Sequence, residues 1–264
     1  MGMELEQDDT GCVQAKVPHW EERNAKDELM APTVGAGYYT ALTLAVFADL
    51  GYCSVNWGMA EPMRCGNNSG CGFLEKKCSN TEGLATRYPH MFCDDTDTTT
   101  LRCSSDRRHL GRCTASIVEQ SGSLRGRDVC PAVSTRFQDS TSGTTSNACA
   151  EASAATFPGS LTGTGSWCLD AEELKVKTNT GAKLAGVCAQ VLCEGGAVKV
   201  KYSGGSAYEE CPEENKIEVN SDEFEAGGKI KCPRYAEVCT LAANGSSLVI
   251  PHAVLEEAGE ARGG

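Results

Sequence analysis

His19 and Met30 lie in one compact polar run, HWEERNAKDELMAP at 19–32. Histidine is the commonest metal ligand and can act as an acid or base near neutral pH. Taken alone, a single histidine is more often structural, and a single methionine is by default an ordinary core residue. A catalytic zinc needs three protein ligands and one open position for water. The chain has four histidines, His19, His90, His109 and His252, and no two have the His-x-x-x-His spacing that puts both rings on one helix face. Acidic pairs at Asp94-Asp95 and Glu209-Glu210 lack EF-hand spacing and read as solvated surface rather than calcium sites. Two Asn-x-Ser sequons, at Asn67 and Asn244, are candidate N-glycosylation sites in an exported protein.

Cysteine is the second chemical signal. There are 16 cysteines and no Cys-x-x-Cys pair, which argues against zinc ribbons, zinc fingers and thioredoxin-type sites. An even count at wide spacing fits a disulfide framework, and disulfides persist in oxidising compartments. The expected location is therefore extracellular or at a cell surface. The start, MGMELEQDD, has no apolar export core, so the sequence predicts an export segment upstream of residue 1. A formal net charge of -12 repels phosphate backbones, so no nucleic-acid partner is expected.

The elements that must position these residues are legible in outline. Pro32 should end any local helix, and Gly35 and Gly37 form a joint. Residues 38–50 read as a helix, with Tyr39, Leu42, Val46 and Leu50 on one stripe, Phe47 beside it and Gly51 as its stop. It is apolar on most faces, which predicts burial. Residues 51–78 are loop-rich, and 79–165 are rich in Ser, Thr and Gly, punctuated by cysteines. Period-two alternation at 175–177, 197–202 and 216–219 predicts strands, with turns at Gly204-Gly205 and Gly227-Gly228. Residues 240–264 read as a tail.

Several of these stretches together resemble the leishmanolysin family. They are HW at 19–20, NAKDELMAP at 24–32, GYYTALTLAVFADLG at 37–51, NSGCGFLEKKC at 68–78, MFC at 91–93 and CPRYAEVC at 232–239. The family is a branch of the metzincin zinc endopeptidases. Its zinc is held by two histidines of an HExxH helix and by a third, distant histidine, above a Met-turn. The resemblance implies that His19 is the third zinc ligand and Met30 the Met-turn methionine. The other two ligands and the general-base Glu are expected upstream, since no HExxH occurs in these 264 residues. The resemblance also ties the Cys71 position to a cysteine upstream of the third histidine, for which Cys12 is the candidate. Cys53 and Cys65 depart from the family, which has aromatic residues there; they either bridge each other or stay as thiols. Relatives often carry a GPI signal, but residues 248–264 lack the apolar tail, so no anchor is expected here.

The expected fold class is therefore α+β. Residues 1–76 would be part of a metzincin-type catalytic module, Met-turn plus buried helix. Residues 77–245 would be a disulfide-rich, mainly antiparallel β domain, and 246–264 an irregular tail. The expected function is that of a fragment of a zinc metalloendopeptidase acting on polypeptides at a cell surface, with adhesion to host or cell-surface proteins as a further partner class. Having one Zn2+ ligand, the isolated chain is predicted to be inactive. The alternative is a non-catalytic surface or binding module from a degenerate family copy.

Overall fold

A computed structural model of the chain describes residues 19–240, apart from 21, 32–35, 52, 77, 79–80, 118–129, 134–135, 140–142, 152–156 and 179–182. The expectations placed on Cys12, Pro32, Gly35, Asn244 and the tail lie outside the described residues.

The N-terminal part is built from short helices and turns. Helix α1 (Glu22–Ala25) leads into a turn, and Glu28 then forms a parallel bridge with Tyr38. Helix α2 (Ala41–Asp49) starts three residues later than the pattern predicts, because Tyr38 is taken by that bridge. Thr40 caps α2 by accepting from the Leu42 N–H at 3.2 Å. Gly51, at φ 73°, ends it with its N–H on the Ala48 carbonyl. The predicted burial of this helix is corrected. Only Thr43 and Leu44 are buried, while Val46, Phe47 and Leu50 are 38%, 41% and 55% exposed. The apolar run suits burial on several faces, but among the described residues only one face is covered. A 3-10 turn (Trp57–Met59), α3 (Cys71–Glu75) and α4 (Leu84–Arg87) follow.

The remainder is antiparallel β structure. Three two-stranded ribbons come first: β1 (Arg102–Cys103) with β2 (Leu110–Gly111), β3 (Cys113–Ile117) with β4 (Cys130–Val133), and β5 (Arg136–Asp139) with β6 (Gly143–Ser146). A six-stranded sheet then forms from β7 (Ser166–Leu174), β8 (Leu184–Glu194), β9 (Ala197–Lys201), β10 (Glu209–Glu210), β11 (Lys216–Glu218) and β12 (Lys229–Lys231), in the order β10-β9-β8-β7-β12-β11. Gly195 and Gly196, both at positive φ, make the two-residue turn between β8 and β9. Two of the predicted strands are found at β9 and β11. Residues 175–177 instead leave β7, held by a Val176–Phe224 bridge. Gly159 sits against that bridge, at φ 70°, where a Cβ would lie 2.6 Å from the Phe224 ring. Helix α5 (Tyr235–Val238) closes the described chain.

The larger core includes Leu101, Leu110, Phe157, Leu169, Val187, Val200 and Ile230. A smaller one packs Cys65 and Phe73 against Tyr88, Met91 and Phe92, with edge-on aromatic contacts. Six disulfides cross these layers: Cys78–Cys130, Cys93–Cys113, Cys103–Cys168, Cys149–Cys188, Cys193–Cys239 and Cys211–Cys232. They close loops of 20 to 65 residues, each contributing about 3–4.5 kcal/mol in the chain-entropy picture. Cys53 and Cys71 are exposed thiols, so no Cys53–Cys65 bridge is formed. Cys65 is buried instead, its Sγ 4.0 Å from the Arg23 carbonyl.

Candidate functional site

The turn that follows α1 is held from both sides. The Trp20 N–H donates to the Met30 carbonyl at 2.8 Å, and the Trp20 indole Nε1–H donates to Thr43 Oγ1 at 2.9 Å. One residue thus joins the half-buried His19 to Met30 and to α2. On the other side the Glu28 carboxyl is buried. It accepts from the Met30 N–H, from Thr40 Oγ1–H at 3.2 Å and from the Thr40 N–H at 3.4 Å. Backbone bonds from Leu29 N–H to the Tyr38 carbonyl and from Tyr38 N–H to the Asp27 carbonyl complete the frame. His19 and Met30 are therefore brought together through adjacent backbone. Glu28, which holds Met30, was not singled out in the sequence. Its signal would have been an acid just before Leu-Met at the end of a polar run, which is weak.

A buried polar seam ties this frame to the β structure. Lys26 Nζ donates to Ser105 Oγ at 3.3 Å and lies 3.6 Å from Asp27 Oδ1, and Ser105 Oγ–H donates to Asp27 at 2.9 Å. Beside it, the Asp106 carboxylate accepts from Ser104 Oγ–H, from the Arg108 N–H at 2.9 Å and from His109 Nδ1 at 3.1 Å. Burial works against the charge on Asp106, but the hydrogen bond and charge of His109, with Lys26 and Ser104, outweigh it and hold the carboxyl well below its usual range. Asp27 shifts the other way, raised by burial against the pull of Lys26, with the Asp106 charge adding to the rise. The Tyr38 hydroxyl reaches the Asp106 carbonyl at 3.3 Å, and Arg108 stacks over the Tyr38 ring.

A second polar cluster surrounds Glu237. Arg107 Nε donates to it at 3.1 Å, Arg234 lies 2.9 Å away and Arg64 Nε 3.0 Å away, while Arg107 also holds Asp170 at 2.6 Å. The Arg64 contact is ionic rather than a directed hydrogen bond, because its Nε–H finds no acceptor in line. Its Nη2 donates instead to His90 Nδ1 at 2.7 Å.

Among the described residues no three His, Cys, Asp or Glu side chains cluster as a metal site. His90 is engaged by Arg64 and His109 by Asp106, both away from His19 in their contacts. The donors described here therefore do not by themselves fit a catalytic zinc, which takes three protein ligands. Asn67 lies exposed on the loop before α3. Among the described residues no helix is long and apolar enough to cross a membrane.

The leishmanolysin peptidase family matches residues 2–245. Leishmanolysin of Leishmania major is 36% identical over 255 residues, covering 89% of this chain and 41% of that protein. A leishmanolysin homolog of Crithidia fasciculata is 34% identical over 256 residues, and a leishmanolysin-like peptidase of Drosophila melanogaster is 30% identical over 118 residues, covering 42% of this chain and 17% of that one. The chain spans about two fifths of the length of the Leishmania relative. Family membership of this breadth carries with it a surface metalloendopeptidase lineage, and the six disulfides fit an extracellular protein. The chain belongs to the leishmanolysin family of zinc metalloendopeptidases.

Proposed function

We propose that this chain supplies the floor of a leishmanolysin-type zinc site, with His19 as the third zinc ligand, Met30 as the Met-turn methionine beneath the metal, and polypeptides as the substrate. The observation that carries this reading is the Trp20–Met30 backbone bond, which fixes the histidine next to the methionine turn. Glu28 is the residue that keeps that turn in place. The domain division expected near residue 76 and glycosylation at Asn67 belong to the same reading. Exposure of Asn67 supports the second, since a sequon must reach solvent. With one zinc donor and no HExxH within its 264 residues, the chain alone is expected to have no peptidase activity.

The test uses two proteins. The purified chain is assayed on a fluorogenic peptide with and without a zinc chelator. A chimera then joins residues 2–245 to the preceding segment of the Leishmania major relative. The chain should be inactive and the chimera active, and His19→Ala in the chimera should lower activity by more than about 100-fold, beyond the 10- to 100-fold typical of outer-shell changes. A chimera that keeps its activity without His19 would remove this histidine from the ligand set.

A further inference from the structure

A cleft of about 470 Å³ lies between the loop that carries Asn67 and Ser69 and the turn around His90, with Arg64, Arg87 and Arg234 on its walls. Among the described residues, none of its lining side chains is acidic. That is unexpected in a chain with a formal net charge of -12. The wall is also not neutralised from behind. Among the described residues Arg64, Arg107 and Arg234 share Glu237, and Asp170, ion-paired to Arg107, acts on Arg64 only at longer range. Arg87 has no carboxylate partner among the described residues. Among the described residues the cationic side chains at and behind this wall therefore outnumber the carboxylates paired with them.

The buried member of the set is Arg64, whose side chain is only 9% exposed. Burial, with the charge of Arg107, brings its guanidinium down to about 10. Arg64 shares its nearest carboxylate, Glu237, with Arg107 and Arg234, and a bound anion would add counter-charge. Arginine can only donate, so the Arg64 bond to His90 requires a bare Nδ1. His90 is then neutral with its proton on Nε2, a further donor on the same wall. Arginine forks and an imidazole N–H together present more donors than the two oxygens of a carboxylate can accept. A tetrahedral oxyanion has enough.

We propose that this cleft binds a tetrahedral oxyanion, phosphate or sulfate, either free or esterified to a sugar, with Arg87 and Arg234 as its outer contacts and Arg64 as the buried counter-charge. The site is separate from the His19–Met30 frame and does not depend on the zinc reading. Asn67 borders the cleft, so a glycan there would screen it.

Calorimetric titration of the full chain at low ionic strength tests this, before and after enzymatic removal of N-glycans. The probes are inorganic phosphate, inorganic sulfate and a hexose 6-phosphate. Saturable one-to-one binding is expected once N-glycans are removed, and weaker or no binding where Asn67 carries a glycan. Arg87→Gln should weaken it about 10-fold, the worth of one charge-assisted bond. Arg234→Gln should do likewise, while Lys175→Gln, an exposed pair member on the sheet, should leave it unchanged. Tighter binding of the hexose phosphate identifies an esterified ligand, and equal or weaker binding identifies the free anion; both support the site. Absence of saturable binding by all three probes, or equal affinity in Arg87→Gln and the unaltered chain, overturns it.

Discussion

Glu28 is the residue whose removal should most directly loosen the frame around Met30. Three donors converge on its buried carboxyl: the Met30 N–H, the Thr40 Oγ1–H at 3.2 Å and the Thr40 N–H at 3.4 Å. Hydrogen bonds to a charged acceptor are worth about 1.5–3 kcal/mol, and each orphaned buried donor costs about 1–3 kcal/mol. Not having to bury the carboxylate offsets part of that loss. Glu28→Ala should therefore cost about 4 kcal/mol. Glu28→Gln should be milder, at about 1–2 kcal/mol. Its amide oxygen can keep the Met30 N–H while its NH2 turns to Thr40 Oγ1, leaving only the Thr40 N–H unpaired. Amide hydrogen exchange reads both variants locally, since it reports the opening free energy of individual bonds. In Glu28→Ala the Met30 and Thr40 amides should lose roughly 1,000-fold in protection, at about 1.4 kcal/mol per decade. In Glu28→Gln only Thr40 should exchange markedly faster. If both amides in Glu28→Ala stayed within a few-fold of the unaltered protein, Glu28 would not be what holds the turn.

Two further outcomes are expected. The Asp106 carboxyl titrates below its unfolded value, so it contributes stability above the ordinary carboxylate range that is lost as pH falls through its lower folded value. Asp106→Asn should accordingly be destabilised by about 3 kcal/mol at pH 7, as for a broken buried pair, and the gap to the unaltered chain should narrow by pH 3; urea midpoints at the two pH values check this. Alkylation of the native chain without reductant, followed by peptide mass mapping, should label Cys53 and Cys71 and spare the twelve bridged cysteines.

What could be read beforehand depended on how local the cause is. The start and stop of α2 follow from Thr40 and Gly51, which act on their own backbone, so the helix was legible to within a few residues. Its burial was not, because burial depends on what lies opposite, and Val46, Phe47 and Leu50 are only partly covered by the described residues. The β9 alternation was readable because only Val198 and Val200 point inward. The longer β8 was missed because Val187, Cys188 and Ala189 are all buried in succession, which gives an unbroken apolar run without period two. Disulfide pairing lay furthest out of reach. Cys168 and Cys188 stand directly opposite on β7 and β8, yet each bonds to a different upstream cysteine.

Those two bridges bear on the site. The turn between β1 and β2, residues 104–109, carries Ser105 and Asp106, on which Lys26, Asp27 and Tyr38 rest. That turn is held at two points: the Cys168 N–H of β7 donates to the Arg107 carbonyl and the Cys149 N–H to the Arg108 carbonyl, each at 2.7 Å. Cys103–Cys168 ties the start of the turn to β7, and Cys149–Cys188 ties the residue that donates to Arg108 to β8. Asp27 and Tyr38 flank Glu28 and its bridge partner, so whatever holds residues 104–109 also holds Met30, and through Trp20 it holds His19. The disulfide-rich part therefore does more than stabilise itself. It sets the position of the proposed zinc ligand through a chain of short, buried contacts, none longer than 3.6 Å along Lys26–Asp27–Ser105. The sheet supplies rigidity to a histidine whose own segment, a four-residue helix and a turn, has too little core to fix it alone.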